Sequence, residues 1–139
     1  MSGFLLDTNV VSEPQRPRPD VGVLEWLAAT DEATLHLSVV SIGELRSGIA
    51  SARDSIKQAR LEAFFAALVR RFSGRIHPFD QPIAERWGAL NGVLSLRGIK
   101  LPGIDSLIAA TALHHDFTVV TRNEADFRAA GVPVLNPFS

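Results

Sequence analysis

The sequence contains no cysteine among its 139 residues. This absence excludes a disulfide framework and zinc sites built on thiolates, and it suits a reducing compartment, so we expect a cytoplasmic protein. Long hydrophobic runs are absent too, since no segment approaches the roughly 18 apolar residues of a membrane span. The start of the chain, MSGFLLDTNV, lacks the basic segment that opens a signal peptide. We therefore expect a soluble protein that does not bind membranes.

An excess of charge of one sign is also missing, because the formal net charge is −1. Bulk electrostatics therefore does not indicate a nucleic-acid-binding protein, which is usually strongly basic. Of the 14 basic residues, however, 12 are arginines, whose planar guanidinium suits phosphate oxygens. Any phosphate-binding surface must be local. The length is about that of one domain with its own core, so we treat residues 1–139 as a single domain.

Short apolar runs alternate along the chain with segments of helical periodicity. The predicted strands are residues 4–6, 34–37, 75–79, 117–121 and 132–135, and the predicted helices are one capped by Asp20 and residues 38–51, 53–72, 81–96 and 102–115. Strands that are separated by helices usually pair in parallel. The pattern therefore predicts an α/β fold, a three-layer α/β/α sandwich around a central parallel sheet.

Three acidic residues lie close to the ends of predicted strands or the starts of helices: Asp7, Glu44 and Asp105. Each has a local explanation that involves no chemistry. Asp7 can cap a helical turn that begins at Thr8. Glu44 stands three residues after Ser41, which is the spacing of a capping box. Asp105 lies in a first helical turn, where the helix dipole favours a carboxylate.

Asn123 and Asp126 repeat the arrangement of a cap followed by an acid, just after the strand that ends at Thr121. In a parallel sheet all of these positions gather at the carboxyl edge, so we expect the acids to converge. Ionised carboxylates about 4 Å apart repel by roughly 4 kcal/mol per pair at an effective dielectric constant of 20. Such a cluster needs a bound cation or protonated carboxyls, and oxygen ligands favour Mg²⁺ or Mn²⁺ over zinc.

Other kinds of site find little support in the sequence. The four histidines lack the spacing of a zinc site, and we expect them to be surface or capping groups. P-loop, G-x-G-x-x-G and G-x-S-x-G motifs are absent. A phosphatase of the haloacid-dehalogenase type would use an aspartate after the first strand, but it needs a second aspartate where this chain has Asn9.

Four segments in sequence order resemble the PIN-domain toxins of the VapC kind. They are LLDTNVVSEP at residues 5–14, LSVVSIGELRSG at 37–48, PGIDSLIAATA at 102–112 and VTRN at 120–123. The FitB-like branch of that family also shares the proline-rich loop at residues 12–19 and the closing LNPF at residues 135–138. The resemblance covers nearly the whole chain.

The resemblance implies a PIN fold and a ribonuclease that depends on Mg²⁺, or on Mn²⁺, and leaves 5′-phosphate and 3′-hydroxyl ends. It also implies a homodimer or a higher assembly with a small VapB-like antitoxin, through which alone DNA would be bound. Asp7, Glu44 and Asp105 match the three acids of the family, and Thr8 matches the hydroxyl beside the first acid. We expect Asp7 and Asp105 to bind the metal directly, with Glu44 acting through water.

The fourth acidic position of the family falls at Asn123, whose amide brings no charge, and Asp126 is a candidate to replace it. Arg46 and Arg122 are candidates for contacts with RNA phosphates, although a solvated surface arginine is the favoured interpretation of each. One alternative remains open. If Asn123 marks a decayed catalytic site, the acids serve only as caps and the chain acts as a regulatory or RNA-binding module.

Overall fold

The computed structural model describes residues 3–139, in which short strands alternate with helices. The strands are β1 (Phe4–Leu6), β2 (Leu35–Ser38), β3 (Ile76–His77), β4 (Thr118–Val120) and β5 (Val134–Leu135); the helices are α1 (Thr8–Val11), α2 (Val21–Ala29), α3 (Val39–Ala50), α4 (Ser55–Arg71), α5 (Gln81–Leu96), α6 (Gly103–His115) and α7 (Glu124–Ala129). The four helices predicted with explicit bounds, α3 to α6, are confirmed to within two residues at each end.

The five strands form one sheet in the order β3-β2-β1-β4-β5, and every pairing is parallel. From β1 the chain proceeds outward to β2 and β3, and it then crosses to β4 on the other side of β1. The loops that leave β1 and β4 therefore diverge, and in open parallel sheets a crevice forms at the carboxyl ends of such a strand pair. The predicted α/β fold is confirmed.

Two apolar clusters cover the two faces of the sheet. Because side chains alternate along a strand, Leu5 packs with Ile108 of α6 in one cluster, and its neighbour Leu6 packs with Phe72 at the end of α4 in the other. Helices α5, α6 and α7 lie on the first face, and α2, α3 and α4 lie on the second. The predicted three-layer sandwich is confirmed. No helix within residues 3–139 is both long enough and apolar enough to cross a membrane.

Two local predictions need correction. The capping-box interpretation of Ser41 and Glu44 is wrong, because Ser38 caps α3 by accepting a 3.0 Å hydrogen bond from the Val40 amide. Glu44 therefore lies well inside the helix, where its side chain is available for other contacts. The third strand is shorter than predicted and ends at His77, because Pro78 has no amide hydrogen to donate to a neighbouring strand.

Three of the histidines form a stack on the sheet, so the prediction of surface or capping groups is wrong for them. His36 stacks on Phe117 with ring centroids 4.4 Å apart, and His115 packs beside the same ring at 5.3 Å. His77 lies 4.4 Å from His115, and its Nε2 is 2.9 Å from Nδ1 of His36. The three imidazoles are half-buried, whereas the neighbouring His114 is exposed.

Burial makes these imidazoles reluctant to accept a proton. Burial, followed by the neighbouring His115 and His36, lowers the pKa of His77 from 6.5 to about 4. Burial also lowers the pKa of His36 and of His115; Arg75 adds to the effect at His36, while Asp80 opposes it at His115. At His77 the unfolded chain therefore binds more protons than the folded protein between about pH 6.5 and pH 4.

We predict that the His77→Gln variant loses less stability on acidification than the unmodified protein. The contribution of a neutral His77 to stability is complete above about pH 6.5 and is lost as the pH falls toward its folded pKa of about 4. Urea midpoints measured near neutral pH and near pH 5 should therefore differ less in the variant. His114→Gln is the control, because it removes an exposed imidazole outside the stack whose charge acts on His115 alone among the three, and it should change the difference less than His77→Gln does. Equal pH dependence in His77→Gln and the unmodified protein would contradict the assignment.

Candidate active site

Asp7 is a buried carboxylate at the end of β1, with 4% of the residue exposed. Its Oδ1 accepts a 2.8 Å hydrogen bond from the Thr8 amide, so the predicted capping of α1 does occur. Its Oδ2 accepts hydrogen bonds from the Thr121 hydroxyl at 2.8 Å and the Asn9 amide at 3.2 Å. Burial raises the pKa of Asp7 in spite of these donors, and the charge of Glu44 adds to the rise. The ionised carboxylate is therefore held in place but lacks a counter-charge.

Glu44 reaches the same region from the middle of α3. Its Oε1 accepts a 2.5 Å hydrogen bond from the Thr8 hydroxyl, which is also 3.0 Å from the hydroxyl of Ser41. A hydroxyl has a single proton and an ionised carboxylate can only accept, so Thr8 donates to Glu44 while Ser41 donates to Thr8. Thr8 thus connects the acid on α3 to the residue that follows Asp7.

Asp105 lies in the first turn of α6, as predicted, and is half-buried. Its Oδ2 accepts a 2.6 Å hydrogen bond from the side-chain amide of Asn123, which also donates to Oδ2 of Asp126 at 2.9 Å. Burial, followed by the charges of Asp7 and Asp126, raises the pKa of Asp105 to about 6. Asn123 thus bridges two acids, and its side chain makes no capping hydrogen bond to α7.

Asn9 and Thr121 support the site, although neither was among the predicted site residues. Thr121 is fully buried. Its hydroxyl oxygen accepts a 2.9 Å hydrogen bond from the backbone amide of Asn123, and the hydroxyl donates to Asp7. The Asn9 side chain accepts a 3.2 Å hydrogen bond from the Arg122 amide. These contacts join the loop after β1 to the loop after β4. Asn9 belongs to the DTN segment and Thr121 to the VTRN segment. Their place in these segments was the signal in the sequence that could have identified them as site residues.

The two arginines proposed for RNA binding make contacts within the protein. Arg46 forms an ion pair with Glu62 of α4 and lies over the ring of Phe65, 4.3 Å from its centroid. Arg122 lies over the ring of Phe138 at 4.0 Å. Each guanidinium remains near the surface, but it is partly used in holding neighbouring segments together.

The oxygen donors of this site fit a hard divalent cation that keeps water ligands. In residues 3–139 no three acidic or imidazole side chains are close enough to hold one ion between them. Mg²⁺ is commonly bound through one or two carboxylates, with water completing its coordination. Burial is the main cause of the raised pKa values of Asp7 and Asp105, and the charges of neighbouring acids add to both. A nearby cation would favour the ionised carboxylates against both effects.

A groove of about 600 Å³ runs from the acids between α3 and α4. Thr8 and Glu44 line its end at the site. Its walls are mainly apolar, and basic side chains stand at the far end; the wall residues include Leu45, Ile49, Leu61, Phe64 and Phe65, and the basic residues are Arg53 and Lys57. The groove suits an elongated apolar segment that approaches the acidic cluster.

Comparison with known proteins gives consistent matches over most of the chain. The toxin FitB of Neisseria gonorrhoeae is 39% identical over 136 residues, covering 97% of this chain and 98% of FitB. The VapC ribonuclease Y4jK of Sinorhizobium fredii is 38% identical over 139 residues, covering 97% of each chain. The solved structure of FitAB bound to an IR36 DNA fragment superposes with a TM-score of 0.92 at 38% identity, covering 98% of this chain and 96% of the other.

The family model of the PIN domain matches residues 4–132. The matched range includes Asp7, Glu44, Asp105 and Asp126 together with strands β1 to β4. On this match and on the two curated relatives, the chain belongs to the PIN domain family.

Proposed function

We propose that the chain, acting as a single PIN domain over residues 1–139, is a metal-dependent endoribonuclease and the toxin of a toxin–antitoxin pair. The observation that carries the proposal is that four acids from different elements meet at one place: Thr8 links Glu44 to the end of β1 at Asp7, and the Asn123 side chain bridges Asp105 and Asp126. Burial, followed by the charges of Asp7 and Asp126, raises the pKa of Asp105 to about 6, and the charge of Glu44 adds to the rise at Asp7. A set of caps would not need to share one electrostatic environment. The ribonuclease named among the relatives supports this chemistry.

Asp7 and Asp105 are the residues that would hold Mg²⁺ or Mn²⁺. When bound, the ion would supply positive charge next to the scissile phosphate and acidify the attacking water. Glu44 would orient that water, since the Thr8 hydroxyl fixes one of its carboxylate oxygens and leaves the other able to accept a proton-bearing partner. Thr121 and Asn9 keep the Asp7 carboxylate oriented toward the crevice. As in the family that the sequence resembles, the products would carry 5′-phosphate and 3′-hydroxyl ends.

Asp105→Asn should abolish metal-dependent cleavage without weakening the fold. Cleavage of total RNA in Mg²⁺ or Mn²⁺ should fall by more than the roughly 10–100-fold that loss of an outer-shell partner causes. Since the charged carboxyl is unfavourable in the folded protein, the thermal midpoint in EDTA should stay equal or rise. Sequencing of 5′-phosphate ends would report the cleavage and identify the target RNA.

Asp116→Asn is the matched control for this experiment. Asp116 lies just after the opposite end of α6 in a left-handed conformation with φ of 59°, which asparagine also adopts readily. The control should retain full cleavage. Metal-dependent cleavage by Asp105→Asn at the normal rate would rule out the assigned role, and a wild-type protein that neither cleaves RNA nor binds metal would indicate the decayed, regulatory PIN domain.

We further propose that Asp126 supplies the fourth acid of the site in place of Asn123. The charge of Asp126 adds to the effect of burial in raising the pKa of Asp105. The side-chain amide of Asn123 donates to both carboxylates, so the three side chains form one connected group. Asparagine can still bind a metal or its water through the amide oxygen, but it brings no charge.

Asp126→Asn should therefore weaken Mn²⁺ binding, because it removes one of the negative charges that face the ion. We expect a loss of about tenfold by calorimetric titration, typical of a group close to a metal site. Glu124→Gln is the control, since Glu124 lies in the same helical turn but is paired with Arg128 and Asn136. Equal losses in the two variants would show that Asp126 acts only through the general charge of α7.

The partner that we propose is a small VapB-like antitoxin bound in the groove between α3 and α4. Toxin–antitoxin complexes are among the solved structures that the chain resembles, and the related FitAB is bound to DNA. The apolar groove would receive an elongated segment of the antitoxin, and a basic side chain of that segment would complement Glu44 at the site end. DNA would be bound through the antitoxin, and a homodimer of the chain would bring two such grooves into one assembly.

Gly48→Trp should prevent capture of the antitoxin, because it fills the groove. Gly48 lines the groove and has open space where a side chain would begin, and tryptophan costs less than glycine inside a helix. Gly92→Trp is the control, since Gly92 is an exposed glycine of α5 that also has open space around it. Co-expression with the neighbouring small gene product, followed by co-purification, should recover the partner with Gly92→Trp and not with Gly48→Trp. Equal recovery would place the antitoxin elsewhere.

A further inference from the structure

The helix that carries Asp105 begins without a side-chain cap. Pro102 occupies the cap position of α6 and makes no capping hydrogen bond, and Gly103 follows it as the first helical residue. The first amides of a helix have no partners within the helix, and a side-chain cap usually stabilises that turn. A glycine there adds conformational freedom. The backbone of Asp105 therefore lies in a turn that lacks the usual local stabilisation.

A hydrogen-bonded pair from the neighbouring helix holds this turn. The indole Nε1 of Trp87 on α5 donates a 2.9 Å hydrogen bond to the hydroxyl of Ser106. The Ser106 hydroxyl in turn donates a 2.7 Å hydrogen bond to the carbonyl oxygen of Gly103. Ser106 is 2% exposed, so water cannot readily replace either bond. Asp105 lies between the two backbone positions that this chain of bonds connects.

We propose that Trp87 is a positioning residue of the active site, which orders the first turn of α6 through Ser106 and thereby places the Asp105 carboxylate. The single donor of the indole is used on Ser106 and not on any of the acids. The proposal rests on the proposed metal-dependent nuclease for its consequence, since the property that it affects is the geometry of the carboxylate offered to the ion. Outer groups that orient a ligand commonly change metal affinity by about 10–100-fold.

Trp87→Phe keeps most of the aromatic volume and removes the indole donor. Ser106→Ala removes the acceptor of that bond together with the bond to Gly103. Both variants and the double variant should weaken Mn²⁺ binding by about tenfold, with no further loss in the double variant because the three changes break one linkage. Amide hydrogen exchange in the segment 103–107 should become about fivefold faster, the factor that corresponds to one net hydrogen bond of ordinary strength.

Trp26→Phe is the matched control, since Trp26 is the other of the two tryptophans and packs edge-on against Phe4 at 5.2 Å. It should leave both the Mn²⁺ affinity and the exchange of residues 103–107 unchanged. In this control Trp87 is the sole tryptophan, and its fluorescence should change on addition of Mn²⁺. In Trp87→Phe, where Trp26 remains, the fluorescence should not respond. This contrast reports whether Mn²⁺ binds near Trp87, and the exchange of residues 103–107 separates positioning from general packing.

The outcomes separate this proposal from the one on which it rests. Exchange in segment 103–107 that matches the wild-type rate in Trp87→Phe would overturn the proposal. Faster exchange with unchanged Mn²⁺ affinity would also overturn it, because loosening the first turn of α6 would then have no effect on how Asp105 binds the ion. A wild-type protein that binds no Mn²⁺ would refute the proposed function, while the exchange rates would still decide whether Trp87 orders the first turn of α6.

Discussion

The structure depends on how it accommodates one buried charge, the carboxylate of Asp7. A carboxylate placed in a protein interior without partners is strongly unfavourable, so it must be hydrogen-bonded, protonated or paired with a cation. Here the Thr8 amide, the Asn9 side chain and the Thr121 hydroxyl provide three donors. They still leave the pKa of Asp7 raised. The protein therefore fixes the orientation of the carboxylate without supplying the positive charge that would complete it.

The same donors hold together the two halves of the sheet. Thr121, which follows β4, donates to Asp7 at the end of β1, and the Asn9 side chain accepts from the Arg122 backbone amide. These two bonds cross the point where the chain reverses its direction of progress along the sheet. The strands pair below this point through parallel ladders, and above it the loops diverge toward helices on opposite faces. A crevice at this place is a consequence of the topology. Its acidic lining is a property of the particular residues that end the strands.

The sequence was sufficient to predict the layers and to place the acids at one edge of the sheet, because both follow from local periodicity and from strand ends. It overestimated how tightly they cluster, since no three acids in residues 3–139 are close enough to hold one ion. It was not sufficient for contacts that depend on the spatial order of the strands. The bond from Thr121 to Asp7 spans 114 residues of sequence, and the stack of His36 on Phe117 requires the relative placement of β2 and β4. Glu44 shows the opposite error. Its spacing of three residues from Ser41 gave it a local explanation as part of a capping box, but its actual partner, Thr8, lies on another element.

Capping and catalysis are not alternatives at Asp7, which is why its local sequence context could not decide between them. Its Oδ1 caps α1 through the Thr8 amide, while its Oδ2 faces Thr121 across the crevice, so one carboxylate serves both purposes. What distinguishes a site from a set of caps is the electrostatic interaction among groups on different elements. After burial, the charges of Asp7 at the end of β1 and of Asp126 on α7 raise the pKa of Asp105 on α6. Caps that act independently would have no reason to lie close enough to influence one another. Because this repulsion costs folding free energy, the arrangement makes physical sense when a cation compensates it.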